Sequence, residues 1–247
     1  MTNSQGQGMV IQTPELFFQK GIQAESDIGS HILVATLIAG NGVVFGMKFD
    51  PRRNKGLQWI KAITPRVILA GWGLYSDFQK VAQQLNDAAQ EMTELAGESY
   101  ATLPFLSKTA SSLIGNKFEV SAVPFALDVL LVDVVSKEIN FVDFRGHSML
   151  LRGFGILGGY KYVSSPFPDN VQELSTKELE KLFIFPRKNA IKHLETVFEE
   201  KKFLSQKDAV EKVTKTLFSF DPKSKKENFM IAIYRNNKFK YFVIERK

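Results

Sequence analysis

Residues 29–50 read GSHILVATLIAGNGVVFGMKFD, and residues 57–73 read LQWIKAITPRVILAGWG. Gly40-Asn41-Gly42 separates two apolar runs, Ile32–Ile38 and Val43–Phe49. Asn and Gly supply the positive φ that a tight hairpin turn demands. A second pair of apolar runs, Leu57–Ile63 and Arg66–Ala70, hinges at Thr64-Pro65. Proline has no N–H to give a ladder, so it belongs in the turn. Two successive hairpins rich in Val and Ile predict half of an antiparallel sheet.

Upstream of the hairpins, Met1 to Gln12 is polar and carries Gly6 and Gly8, which predicts a flexible tail. Thr13-Pro14-Glu15 then combines a hydroxyl cap, a proline at the first helical position and an acid in the first turn. The helix it opens carries Leu16, Phe17, Phe18 and Ile22 on more than one side. A single domain covers one stripe of a helix, so this element predicts contact with another subunit.

Downstream, Ser76 followed by Gln79 fits a capping box. Phe78, Val81, Ala82, Leu85, Ala88, Ala89, Met92 and Leu95 follow at helical spacing, as a core stripe. A second helix is predicted from near Pro104, with Leu106, Thr109, Ala110 and Leu113 facing inward and Gly115 ending it. A strand block runs from Pro124 to Arg152, with turns at 136–138 and 145–147. Asp128 and Asp133 interrupt its first apolar run. Their offset of five places them on opposite sides of one strand, which speaks against acid-base partnership. Residues 153–158 satisfy G-x-G-x-x-G in form, but Tyr160–Pro168 carries two prolines where a pyrophosphate-binding helix should start. Two more helical patterns and a final hairpin turning at Arg235-Asn236-Asn237 close the chain.

The composition narrows the classes. No apolar run approaches the ~20 residues needed to span a bilayer, and the first residues have neither the basic region nor the apolar core of a signal peptide. With no cysteine there is no disulfide, thiol nucleophile or thiolate metal site. The net charge of +6 comes from 32 basic and 26 acidic residues that are interspersed, which reads as a solvated surface and not a nucleic-acid interface. His31, His147 and His193 share no ligand spacing. No cofactor is expected.

Hairpin, polar link, hairpin, Gly-x-Gly and a long helix together resemble the opening of a proteasome subunit. The segment 57–78, LQWIKAITPRVILAGWGLYSDF, looks like the α-type subunits of bacterial 20S proteasomes. The helix pair, the Pro-Phe strand start with its meander, the last two helices and the closing hairpin follow the same order. The likeness covers roughly residues 13–245, apart from an insertion at about 160–187. It implies an α+β fold of the N-terminal-nucleophile hydrolase type. That fold is a four-layer α/β/β/α sandwich, two antiparallel sheets between helical layers, in one domain spanning 13–247 behind a 1–12 tail.

The same resemblance carries functional expectations. Members of this type assemble with themselves into a ring, stack on a β-type protease ring, and work with an ATPase or other ring activator on protein substrates in the cytoplasm. No membrane or nucleic-acid partner is implied. The tail with Met1, Gly6, Gly8 and Gln12 would gate the pore, and Leu16, Phe17, Phe18 and Ile22 would lie at the ring interface. Catalytic relatives use an N-terminal threonine whose own amine acts as base. Here Ser30 stands at that place, Trp59 stands where the catalytic lysine would be, and Gly46-Met47-Lys48 brings no carboxylate to the second strand. A non-catalytic subunit is therefore expected. The alternatives are a hydrolase using Ser30 after self-cleavage and a ring scaffold without a protease partner. In typical α-type subunits the lysine replaced by Trp59 receives the C-terminal carboxylate of an activator tail. Lys61, two residues on, should share a strand face with Trp59, which makes Lys61 the candidate receptor, with Trp59 as a wall or as filling of an apolar seam, and Lys55 as a weaker candidate.

Overall fold

Strands β1 (Ile32–Ile38) and β2 (Gly42–Phe49) pair antiparallel from Ile32↔Lys48 to Ile38↔Gly42. Gly40 takes the positive φ (75°) of their connection; Asn41, expected to share it, does not. The second hairpin is β3 (Ile60–Ala62) and β4 (Val67–Gly73), with Thr64-Pro65 in the turn, where the Thr64 hydroxyl accepts from the Val67 amide at 2.9 Å. This computed structural model describes residues 32–49, 58–97, 100–120, 125–151, 153–158, 194, 203–220 and 228–245. The expected N-terminal tail and helix, the insertion at about 160–187, Ser30 and Lys55 lie outside them.

The two hairpins do not share a sheet, which corrects the first expectation. Strands β1 and β4 are buried along their whole length. Each must therefore be covered on both faces and sits inside its own sheet. The remaining strands are β5 (Leu127–Asp133), β6 (Glu138–Val142), β7 (Ser148–Leu151), β8 (Phe154–Leu157), β9 (Asn228–Arg235) and β10 (Lys238–Glu245). One sheet runs β10-β9-β2-β1-β8 and the other β3-β4-β5-β6-β7, and every pairing is antiparallel.

Side-chain alternation makes the layers. From β1, Leu33, Ala35 and Leu37 join the second sheet in one core, while Ile32, Val34 and Ile38 join a second core with Ala209, Val213 and Leu217. The latter three belong to helix α3 (Gln206–Phe220), which covers the outer face of the first sheet. Between the sheets, Leu130 and Ile139 close on Gly155. Helices α1 (Tyr75–Ala96) and α2 (Leu103–Val120) cover the outer face of the second sheet. The molecule is thus a mixed α+β fold with two antiparallel sheets and, among the described residues, three helices, in the order helix, sheet, sheet, helix pair.

Two helix boundaries differ from the sequence expectation. Helix α1 starts at Tyr75 with Leu74 as an extended cap that has no side-chain hydrogen bond, so Ser76 is not a capping residue. The reason is the tight link to β5: the Leu74 amide donates to the Ala126 carbonyl (2.8 Å) and the buried Asp77 carboxylate accepts from the Ala126 amide (3.0 Å). Gly115 does not end α2, which continues to Val120. It is small because the 145–147 turn lies on it: the Ser111 hydroxyl donates to the Gly146 carbonyl, and a Cβ on Gly146 would fall 2.6 Å from the Gly115 nitrogen. The α1 stripe is buried at Phe78, Val81, Ala82, Leu85 and Ala89, but Leu95, assigned to it, is 78% exposed.

Candidate functional site

Residues 58–61 meet the first turns of α1. Ile60↔Ala70 and Lys61↔Leu69 set the register, and the Gly71 amide donates to the Trp59 carbonyl at 3.0 Å. Alternation then sends Trp59 and Lys61 to one face and Ile60 to the other. The common face is the one under α1. The Trp59 ring lies 5.2 Å from Tyr75 and 5.5 Å from Phe78, measured between centroids. The Lys61 ammonium donates to Gln79 Oε1 and stands 5.9 Å from the Phe78 ring centre.

Gly71 makes room for this cluster. A Cβ there would come within 2.3 Å of the Phe78 ring, so only glycine lets Phe78 press onto β4 beside Trp59. Trp59 is fully buried. Its ring fills an apolar seam within the chain, against Tyr75 and Phe78. Lys61 is half-buried, with its stem along the aromatic cluster. Its partner Gln79 is a residue that sequence reasoning assigned to a helix cap. The missed signal was Gln79 lying one residue past Phe78 in the helix that covers β3.

The space between the sheets is lined differently. Near the start of β1, the described residues that face it are apolar: Leu33 on β1, Met47 on β2 and, by alternation, Ile60 on β3. Met47 pairs Leu33, so the residue opposite on β2 brings no carboxylate. Neither Trp59 nor Lys61 points into this space.

The two aspartates of β5 occupy separate environments. Asp133 is fully buried and accepts from Arg66 Nε at 3.0 Å and Nη2 at 2.6 Å, and from the Val135 and Ser136 amides. Four donors satisfy its charge, in a structural role. Asp128 accepts from the Phe144 amide at 3.0 Å and secures the end of β6. His147 is exposed, with Nδ1 3.5 Å from Asp143. Among the described residues there is no group of three His, Cys, Asp or Glu side chains placed to hold a metal ion, and no helix long and apolar enough to cross a membrane. At the 153–158 glycine motif, Phe154–Leu157 is strand β8, paired with β1, so the motif's centre belongs to a ladder.

No protein-family model matches this chain, and no curated protein matches its sequence.

Proposed function

We propose that the chain is a non-catalytic α-type subunit of a 20S-like proteasome core particle, with an N-terminal-nucleophile hydrolase fold. It forms the outer ring, in the cytoplasm, and controls substrate access to a β-type protease ring. The observation that carries this reading is the element order. Two central hairpins, one per sheet, are followed by a helix pair over one sheet, a three-strand meander, a return strand, a helix over the other sheet and a closing hairpin. The described elements follow the order that the resemblance over residues 13–245 implies; its first helix and the earlier of its two late helices lie outside the described residues. The non-catalytic assignment rests on the sequence, where Trp59 stands in place of the lysine and Gly46-Met47-Lys48 brings no carboxylate.

In this reading the 1–12 tail gates the pore and Lys61 receives the carboxylate of an activator tail, after exchanging its bond to Gln79. Charge-assisted hydrogen bonds contribute ~1.5–3 kcal/mol. Lys61→Ala should therefore weaken binding of an activator tail peptide to the assembled ring about tenfold or more; unchanged affinity would leave Lys61 an ordinary surface lysine. The function itself is tested by affinity isolation of the chain from its own cells. The reading expects a stoichiometric second protein that begins with threonine after processing and hydrolyses peptides. A homogeneous ring of this chain alone, with no such partner, would favour a scaffold instead.

A further inference from the structure

A groove of about 330 Å³ lies between α1 and α2 and shares no lining residue with the Lys61 cluster. Its apolar surface comes from Leu113, Val120 and Phe125. Val120, the last residue of α2, is 84% exposed and adds its side chain to the groove's open apolar surface. The rim carries Lys80 from α1 and Lys117 from α2, both exposed. The Lys117 ammonium stands 6.0 Å from the Phe125 ring centre, so the charge borders directly on the apolar floor. The other polar lining groups are the amides of Gln84 and Asn116. Among the described residues the lining thus offers two cations and two amides around an apolar floor, and no carboxylate.

We propose that this groove docks a segment of a partner protein in which acidic side chains flank an apolar one. The apolar side chain covers Leu113, Val120 and Phe125. Its acidic neighbours meet Lys80 on one wall and Lys117 on the other. Exposed ion pairs are individually weak, so burial of the apolar group holds the segment and the charges select it. The open shape favours a protein segment over a free fatty acid, whose alkyl chain needs an enclosed cavity to leave water.

The test is fluorescence anisotropy on the full chain with a labelled Glu-Glu-Leu-Phe-Glu-Glu peptide. Saturable binding is expected. It should weaken roughly fivefold or more when the four Glu become Gln, when Leu-Phe becomes Gly-Gly, or when Lys80→Glu and Lys117→Glu are combined. A Lys-Lys-Leu-Phe-Lys-Lys peptide should bind that doubly reversed protein better than the original, which also reports that the variant is folded. Lys80→Gln, a milder change, should give an intermediate loss. Absence of saturable binding, equal affinity for the Glu and Gln peptides, or undiminished binding to the reversed protein would each overturn the proposal. Equal affinity for the Gly-Gly peptide would do so too, because it reduces the contact to charge alone.

Discussion

Gly71 shows how one missing side chain sets a local arrangement. The Phe78 ring occupies the volume a Cβ would need, at 2.3 Å, and Trp59 packs against that ring. Gly71→Ala must push Phe78 off β4 and loosen the contact that buries Trp59. Overpacking of this kind costs about 1–3 kcal/mol. Urea unfolding should report that loss, and tryptophan fluorescence should shift to longer wavelength in the folded variant. A neutral result would mean that Phe78 has another rotamer open to it. Part of this was legible beforehand: strand alternation placed Trp59 and Lys61 on one side. Which side it was, and that α1 would bring Gln79 to Lys61, depended on tertiary packing that no local pattern encodes. The capping pattern at Ser76 misled for a related reason. Its first turn is organised by Ala126, forty-nine residues from Asp77, and not by its neighbours.

At the scale of elements, strand β9 ties the two sheets together. The Tyr234 hydroxyl donates to the Pro65 carbonyl in the β3–β4 turn at 2.9 Å, and its ring lies 4.7 Å from that of Phe239. Burial pushes the Tyr234 phenol above its ordinary value. The folded protein therefore holds this proton more tightly than the unfolded chain does. The associated stability is complete below the ordinary phenol value of about 10 and is lost as pH rises through the folded pKa. Tyr234→Phe should cost about 0.5–1.5 kcal/mol at neutral pH, and should reduce the loss of stability between pH 10 and higher values. Identical alkaline slopes in the two proteins would remove Tyr234 from this role. The β9–β10 connection has Asn236 and Asn237 both at positive φ (51° and 60°), the geometry of a two-residue hairpin turn that favours Asn-Gly. Asn237→Gly should stay near neutral, because glycine's ease at positive φ is offset by its freer unfolded chain, and Asn237→Val, a β-branched residue at positive φ, should lower stability by about 1 kcal/mol or more; thermal unfolding of the pair distinguishes these outcomes. Hairpin positions were legible because their turn residues are local. Division of the hairpins between two sheets was not, because period-two patterning says which faces are buried and not what covers them.

For the whole molecule, the layer order rests on two cores that share the first sheet, one between the sheets and one under α3. The proposed function adds assembly. Under that proposal Leu16, Phe17, Phe18 and Ile22 belong to a ring interface and the 1–12 tail to the gate, neither of which lies within the described residues. Native mass spectrometry of the isolated particle, followed by release of its subunits, tests the central claim most directly. The account predicts a ring-sized multiple of 27.9 kDa whose released subunits keep their residues ahead of Ser30. A stable 27.9 kDa monomer at micromolar concentration, or subunits that begin at Ser30, would contradict it.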